Sequence, residues 1–158
     1  MNKLKNTRFL IEAAIIAAIY AALTILIPGG SGQVQIRISE ALTVLPLFTP
    51  AAIPGLFVGC LIANLVVGAG IYDIIFGSLA TLIAAIITSK IKSKYLAPLA
   101  PVIANAVTVA LIWKLIANLP MLVTMGFVAL GEVVACYGLG LPLILFLEKR
   151  GDRIFGKV

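Results

Sequence analysis

The chain contains no histidine, which excludes histidine-based metal sites, catalytic triads and imidazole proton relays. Its two cysteines, Cys60 and Cys136, lie far apart inside apolar runs and form neither a C-x-x-C pair nor a zinc spacing, so they read as small packed residues. No G-x-x-x-x-G-K-[ST] loop occurs, so the chain does not hydrolyse ATP by a P-loop, and any energy for pumping must come from an ion gradient or from a partner. Charge is also scarce. Only 11% of the 158 residues are charged, against roughly a quarter in soluble domains. No cofactor and no metal are expected.

What fills the chain instead is hydrocarbon. Hydrophobic residues make up 62% of it and the mean hydropathy is +1.18, values of a polytopic, all-α integral membrane protein. The apolar run 9–27 is as long as a bilayer-spanning helix and lacks a separate small-residue cleavage region, so it is read as a first span and not as a signal peptide. The net charge of +6 does not point to nucleic acid. Ten of the twelve basic residues fall in three clusters at the tips of apolar spans: Lys3, Lys5 and Arg8; Lys90, Lys92 and Lys94; Lys149, Arg150, Arg153 and Lys157. The positive-inside bias assigns all three, and both termini, to the cytoplasm.

Crossing parity then organises a single membrane domain over 1–158. An even number of crossings must separate the N-terminus from the 90–94 loop. Spans at about 9–27 and 73–89 supply two, so 39–67 must cross twice, turning at Pro46, Pro50 and Pro54. The resulting helices are about 39–48, 52–67, 98–117 and 121–147 besides those two, with a bend expected at Gly138, Gly140 and Pro142. Ten residues of α-helix rise only ~15 Å, half of a ~30 Å hydrocarbon core. The segment before it, 29–38, is therefore expected to dip into the membrane as a partly embedded loop after helix 1. Along it Gln33, Gln35 and Arg37 alternate with apolar residues and share one side.

This topology collects polar residues at depth: Arg37, Glu40, Asp73, Lys114 and Glu132, with Asn64 and Asn105. A charge costs about 2.5 to 3.5 kcal/mol at a helix centre on insertion scales, so interior or cavity-facing positions are expected. Plainer roles are open to each. Ser39 with Glu40, and Asp73, suit helix starts. Asn64 and Asn105 suit hydrogen bonds between helices, and Glu132 suits an ion pair with Arg37 or Lys114. Tyr72 and Trp113 suit an interfacial belt as well as stacking on a planar ligand. Those roles leave the concentration unexplained, whereas one polar ligand pocket accounts for the set together. The expected pocket residues are Gln33, Gln35, Arg37, Glu40, Asn64, Tyr72, Asp73, Asn105, Trp113 and Glu132. On helix 1, Ala13, Ala17 and Ala21, and beside them Ala14, Ala18 and Ala22, form two small-residue stripes suited either to packing within the bundle or to docking a separate membrane subunit.

The run RISEALTVLPLFTPAAIPGLFVGCLIANL at 37–65, followed by DIIFGSLATLIAA at 73–85, resembles the QueT-type family of queuosine-precursor transporters. The likeness covers about residues 8–147. It implies a six-helix substrate-binding S component of an energy-coupling factor (ECF) transporter in the cell membrane, taking up queuine or a related 7-deazaguanine base. It also implies a loop after helix 1 acting as a lid and an A-x-x-x-A motif on helix 1, matched here by either Ala13 and Ala17 or Ala14 and Ala18, that meets the transmembrane coupling subunit. Two cytoplasmic ATPase subunits would hydrolyse ATP. No direct nucleic-acid binding and no enzymatic activity are expected. The competing readings are an S component for another small nutrient or vitamin, and an ion-coupled secondary transporter with Glu132 as coupling carboxylate, although no inverted repeat is visible. A membrane enzyme would need a nucleophile, base or metal set that is absent.

Overall fold

The computed structural model describes residues 2–27 and 37–154, and no strand occurs among them. α1 (Asn2–Leu26) leads to a 3-10 helix over Ile38–Leu47. There follow α2 (Ala52–Val66), a π-helical turn (Asp73–Gly77) that runs straight into α3 (Ser78–Lys90), and α4 (Leu99–Ala117). α5 (Met121–Ala135) continues through a second π-helical turn (Cys136–Gly140) into α6 (Leu141–Ile154). Four of these stretches are long and apolar enough to cross a bilayer: Asn6–Leu26, Asp73–Lys90, Leu99–Ala117 and Met121–Arg150. Ile38–Leu47 and Ala52–Val66 are apolar but shorter.

The distribution of side chains is that of a protein solvated by lipid. Leu10, Ile15, Ile62, Leu65, Leu115 and Leu122 face outward, while Glu40, Asn64, Asn105 and Glu132 are buried. Hydrocarbon removes any advantage of hiding leucine but makes an unsatisfied polar group costly, so polarity turns inward.

The connections are closed by local chemistry. α2 ends in a Schellman motif: Gly68 has φ +68°, Ala69 N–H donates to Asn64 O at 2.9 Å and Gly68 N–H to Leu65 O at 3.3 Å. Asn118, at φ 51°, ends α4 in the same left-handed conformation, which asparagine tolerates better than most residues. The turn at 48–51 follows Pro46, and α2 begins with Pro54 in its first turn, where a missing N–H costs nothing. On the basic side of the bundle Lys94 Nζ donates to Glu148 Oε2 at 2.9 Å, which raises the Lys94 pKa, and Tyr137 O–H donates to Tyr95 O at 3.0 Å.

α1 and α2 pack backbone to backbone. A Cβ on Gly55 would meet Ala13 O at 2.8 Å, and one on Gly59 would meet Ala17 O at 2.8 Å. Gly55-x-x-x-Gly59 is therefore the small surface that lets α1 approach, and it takes the Ala13, Ala17, Ala21 stripe: Ala17 and Ala21 are buried there. Ala14, Ala18 and Ala22 face outward. Ile16, Tyr20, Leu45, Leu56, Cys60 and Leu147 form the apolar core beside this crossing.

The 3-10 helix is the unusual element. Runs of 3-10 helix beyond three or four residues are uncommon, and ten residues at ~2.0 Å rise reach about 20 Å, against ~15 Å for the α-helix expected from sequence. Pro46 removes a donor, and Thr43 Oγ1 donates to Glu40 O at 2.5 Å, an i to i−3 bond that matches 3-10 spacing. Most of its own residues are buried, Ser39, Glu40, Thr43 and Val44 among them, so tertiary packing holds a geometry that propensity does not favour.

Candidate functional site

Six residues expected at a pocket line one enclosed cavity: Arg37, Glu40, Asn64, Asp73, Asn105 and Glu132. Gly77, Thr81, Val109 and Val128 complete its wall. The contributions come from six places in the chain. Arg37 precedes the 3-10 helix in extended conformation (φ −96°, ψ 109°) and Glu40 lies in its first turn. Asn64 projects from the last turns of α2, Asp73 and Gly77 from the π turn, Thr81 from α3, Asn105 from α4 and Glu132 from α5.

Hydrogen bonds fix most of these groups. Asn64 is the central tie: its Nδ2 donates to Asp73 O at 3.1 Å and its Oδ1 accepts from Arg37 Nη1 at 3.4 Å. Asn105 Nδ2 donates to Glu132 Oε1 at 3.0 Å, and Cys136 Sγ lies 3.7 Å from Glu132 Oε2. Glu40 accepts a short hydrogen bond from the phenol of Tyr20 through Oε1. Its other oxygen, Oε2, is buried and has no hydrogen-bond partner among the described residues. A buried carboxylate oxygen without a donor is costly, and it is free to accept an N–H or O–H. Three carboxyl groups beside one guanidinium also leave the wall rich in acceptor oxygens, which suits a molecule with N–H or O–H donors.

The free volume is ≈ 20 Å³, room for about one water molecule, whereas small-molecule sites run to about 300 Å³ and more. A molecule larger than water enters only if these side chains separate. A larger hollow of ≈ 500 Å³ lies along the outside of α5, lined by Leu122, Val123, Gly126, Phe127, Ala129, Leu130 and Val133. It offers no charged side chain and lies open on the surface of the bundle.

The other expected residues fall elsewhere. Tyr72 is 46% exposed, stacks on Phe76 with ring centroids 6.3 Å apart, and lines a separate apolar groove with Leu111, Ile112 and Leu115. Trp113 is half-buried and does not line the cavity. Lys114 is exposed and donates to Asn118 Oδ1 at 2.7 Å. Gln33 and Gln35, and with them the alternation over 29–36 and the embedded loop, lie outside the described residues. Sequence reasoning missed Tyr20, Thr81 and Cys136. Nothing in a lone tyrosine or threonine within an apolar helix distinguishes core from site. The Gly55-x-x-x-Gly59 motif was legible and would have assigned one alanine stripe to internal packing.

Among the described residues no group of histidine, cysteine, aspartate and glutamate is arranged to hold a metal ion. The cavity lining offers carboxyl acceptors, a guanidinium donor and amides that do both.

Comparison with known proteins gives two findings. The family model described as QueT transporter matches residues 10–149. The queuosine precursor transporter QueT of Lactococcus lactis subsp. cremoris (strain MG1363) is 30% identical over 172 aligned positions, covering 96% of this chain and 97% of that protein. No solved structure matches.

Proposed function

The chain belongs to the QueT transporter family, and from that premise we propose that it is the substrate-binding membrane subunit of an importer for a queuosine precursor, queuine or a related 7-deazaguanine base. The observation that carries this reading is the convergence of Arg37, Glu40, Asn64, Asp73, Asn105 and Glu132 on one enclosed cavity inside a largely apolar bundle. A 7-deazaguanine presents adjacent N–H donors on its pairing edge, which a carboxylate accepts as a pair, and a carbonyl suited to a guanidinium or amide. Glu40, with an oxygen to spare, or Glu132 takes the pairing edge. Asp73 takes the basic amine that queuine and the aminomethyl base carry, and Arg37 or Asn105 takes the carbonyl.

The test is affinity of the purified protein for both bases, with Glu40→Gln, Asp73→Asn and Glu132→Gln, together with mass spectrometry of whatever small molecule co-purifies. Loss of binding in at least one variant is expected; near wild-type binding in all three would remove the assignment.

In the same proposal the protein is an S component, which leaves ATP hydrolysis to two cytoplasmic ATPase subunits joined through a transmembrane coupling subunit. The outward stripe Ala14, Ala18, Ala22 is the face that receives the coupling subunit, since close helix approach requires small residues and the neighbouring stripe is taken by α2. Six membrane helices, a single domain and cytoplasmic termini complete the proposed arrangement. Co-purification with the coupling and ATPase subunits is expected. Transport by the isolated protein in ion-loaded vesicles would instead make it a secondary carrier.

A further inference from the structure

α1 contributes nothing to the cavity wall, yet it reaches the site through one residue. Tyr20 is fully buried, and its phenol donates to Glu40 Oε1. Its position is fixed from behind: Gly59 of α2 lies so close that a Cβ there would stand 2.9 Å from Tyr20 Cβ. One turn further along α1, the Thr24 and Ser39 hydroxyls lie 2.7 Å apart, which ties the start of the 3-10 helix to the same face. Glu40 itself is 1% exposed and has only Oε2 left without a donor. A carboxylate held at one oxygen on a rigid ring loses the freedom to turn, so the orientation of the second oxygen is set before a ligand arrives.

We propose that Tyr20 is a positioning residue of the ligand site: by holding Glu40 Oε1 it dedicates Glu40 Oε2 to the substrate. Tyr20 does not touch the substrate; it acts through Glu40. The inference rests on the reading of the cavity as the ligand site.

The experiment measures dissociation constants of the detergent-purified full chain for queuine and for 7-aminomethyl-7-deazaguanine, in the wild type, Tyr20→Phe, Glu40→Gln and the double variant. Tyr20→Phe removes a single hydroxyl from a packed ring. Since hydrogen bonds to charged groups are among the stronger ones, affinity should fall at least about ten-fold. A residue that acts only through Glu40 adds nothing once Glu40 is changed, so the double variant should bind within about two-fold of Glu40→Gln alone. Binding by Tyr20→Phe at the wild-type level overturns the proposal, and so do losses that add in the double variant, which would make Tyr20 a packing residue. Should Tyr20→Phe not fold, site-specific 4-fluorophenylalanine at position 20 keeps the ring and fills the space of the hydroxyl without donating a proton; an unchanged affinity there overturns the proposal equally. A wild-type protein that binds neither base would instead overturn the reading of the cavity, a result distinct from the others.

Discussion

A carboxylate or a carboxamide in a helix bundle bathed by hydrocarbon persists only where something satisfies it, and Asn64 shows how few groups suffice. One amide joins Arg37, the Asp73 carbonyl and, at 3.5 Å, the Cys60 sulfur. Replacing it with Leu leaves the half-buried Asp73 carbonyl without this donor and removes one contact of the guanidinium. We expect a loss of about 1 to 3 kcal/mol in stability, read as a lower Tm in detergent, together with weaker ligand binding. Asn105→Ala should cost about as much, because Glu132 Oε1 then loses its donor. Lys114→Ala is the control. Its ammonium is exposed and, among the described residues, hydrogen-bonded only to Asn118, so stability should stay within about 0.5 kcal/mol. The contrast explains what was legible at this scale. Arg37, Glu40, Asp73 and Glu132 stand out because charge in an apolar chain demands a reason. Lys114 stood out equally and found its reason at the surface. Tyr20 and Thr81 did not stand out, because a hydroxyl on a hydrophobic frame fits core and site alike.

Helix elements here depart from the α-form where the cavity lies. The 3-10 helix carries Glu40, the first π turn carries Asp73 and Gly77, and the second begins at Cys136, beside Glu132. Sequence placed helical segments in these regions from apolar length and proline spacing, but hydrogen-bond register is set by neighbours pressing on the backbone, which apolar periodicity does not encode. Glycine offers a sharper test of what neighbours dictate. Gly59→Ala puts a Cβ 2.8 Å from Ala17 O and 2.9 Å from Tyr20 Cβ, so α1 and α2 must part; the loss should be about 1 to 3 kcal/mol despite the better helix propensity. Gly126, inside α5, has nothing within 4 Å of the same added atom. There Ala should leave stability unchanged or raise it by up to about 1 kcal/mol. Thermal unfolding of the two variants side by side reads both signs; equal effects would mean that the close approach of α1 to α2 does not govern the difference.

At the scale of the whole molecule, the sequence supplied two alanine stripes without saying which faced in, because stripes one residue apart have the same composition and spacing. Packing separates them. Ala17 and Ala21 are buried, with Gly55 and Gly59 pressed against the Ala13 and Ala17 carbonyls, while Ala14, Ala18 and Ala22 remain on the surface among Ile11, Ile15 and Ile19. A tryptophan therefore has opposite consequences at adjacent positions. At Ala17 it must displace α2, and overpacking of this kind costs about 1 to 3 kcal/mol or more, so Ala17→Trp should fold poorly and bind no ligand. At Ala18 it projects outward, and the isolated protein should keep its Tm and its ligand affinity. If the outer stripe receives a coupling subunit, Ala18→Trp should nevertheless abolish co-purification of that subunit and uptake in cells, because a helix cannot approach closely over an indole. Three measurements on one pair of variants thus separate packing, binding and assembly: Tm, affinity for a 7-deazaguanine base, and recovery of the complex. Retained assembly and uptake in Ala18→Trp would move the docking face off this stripe. Retained Tm in Ala17→Trp would contradict the α1 to α2 contact on which the assignment of the two faces depends.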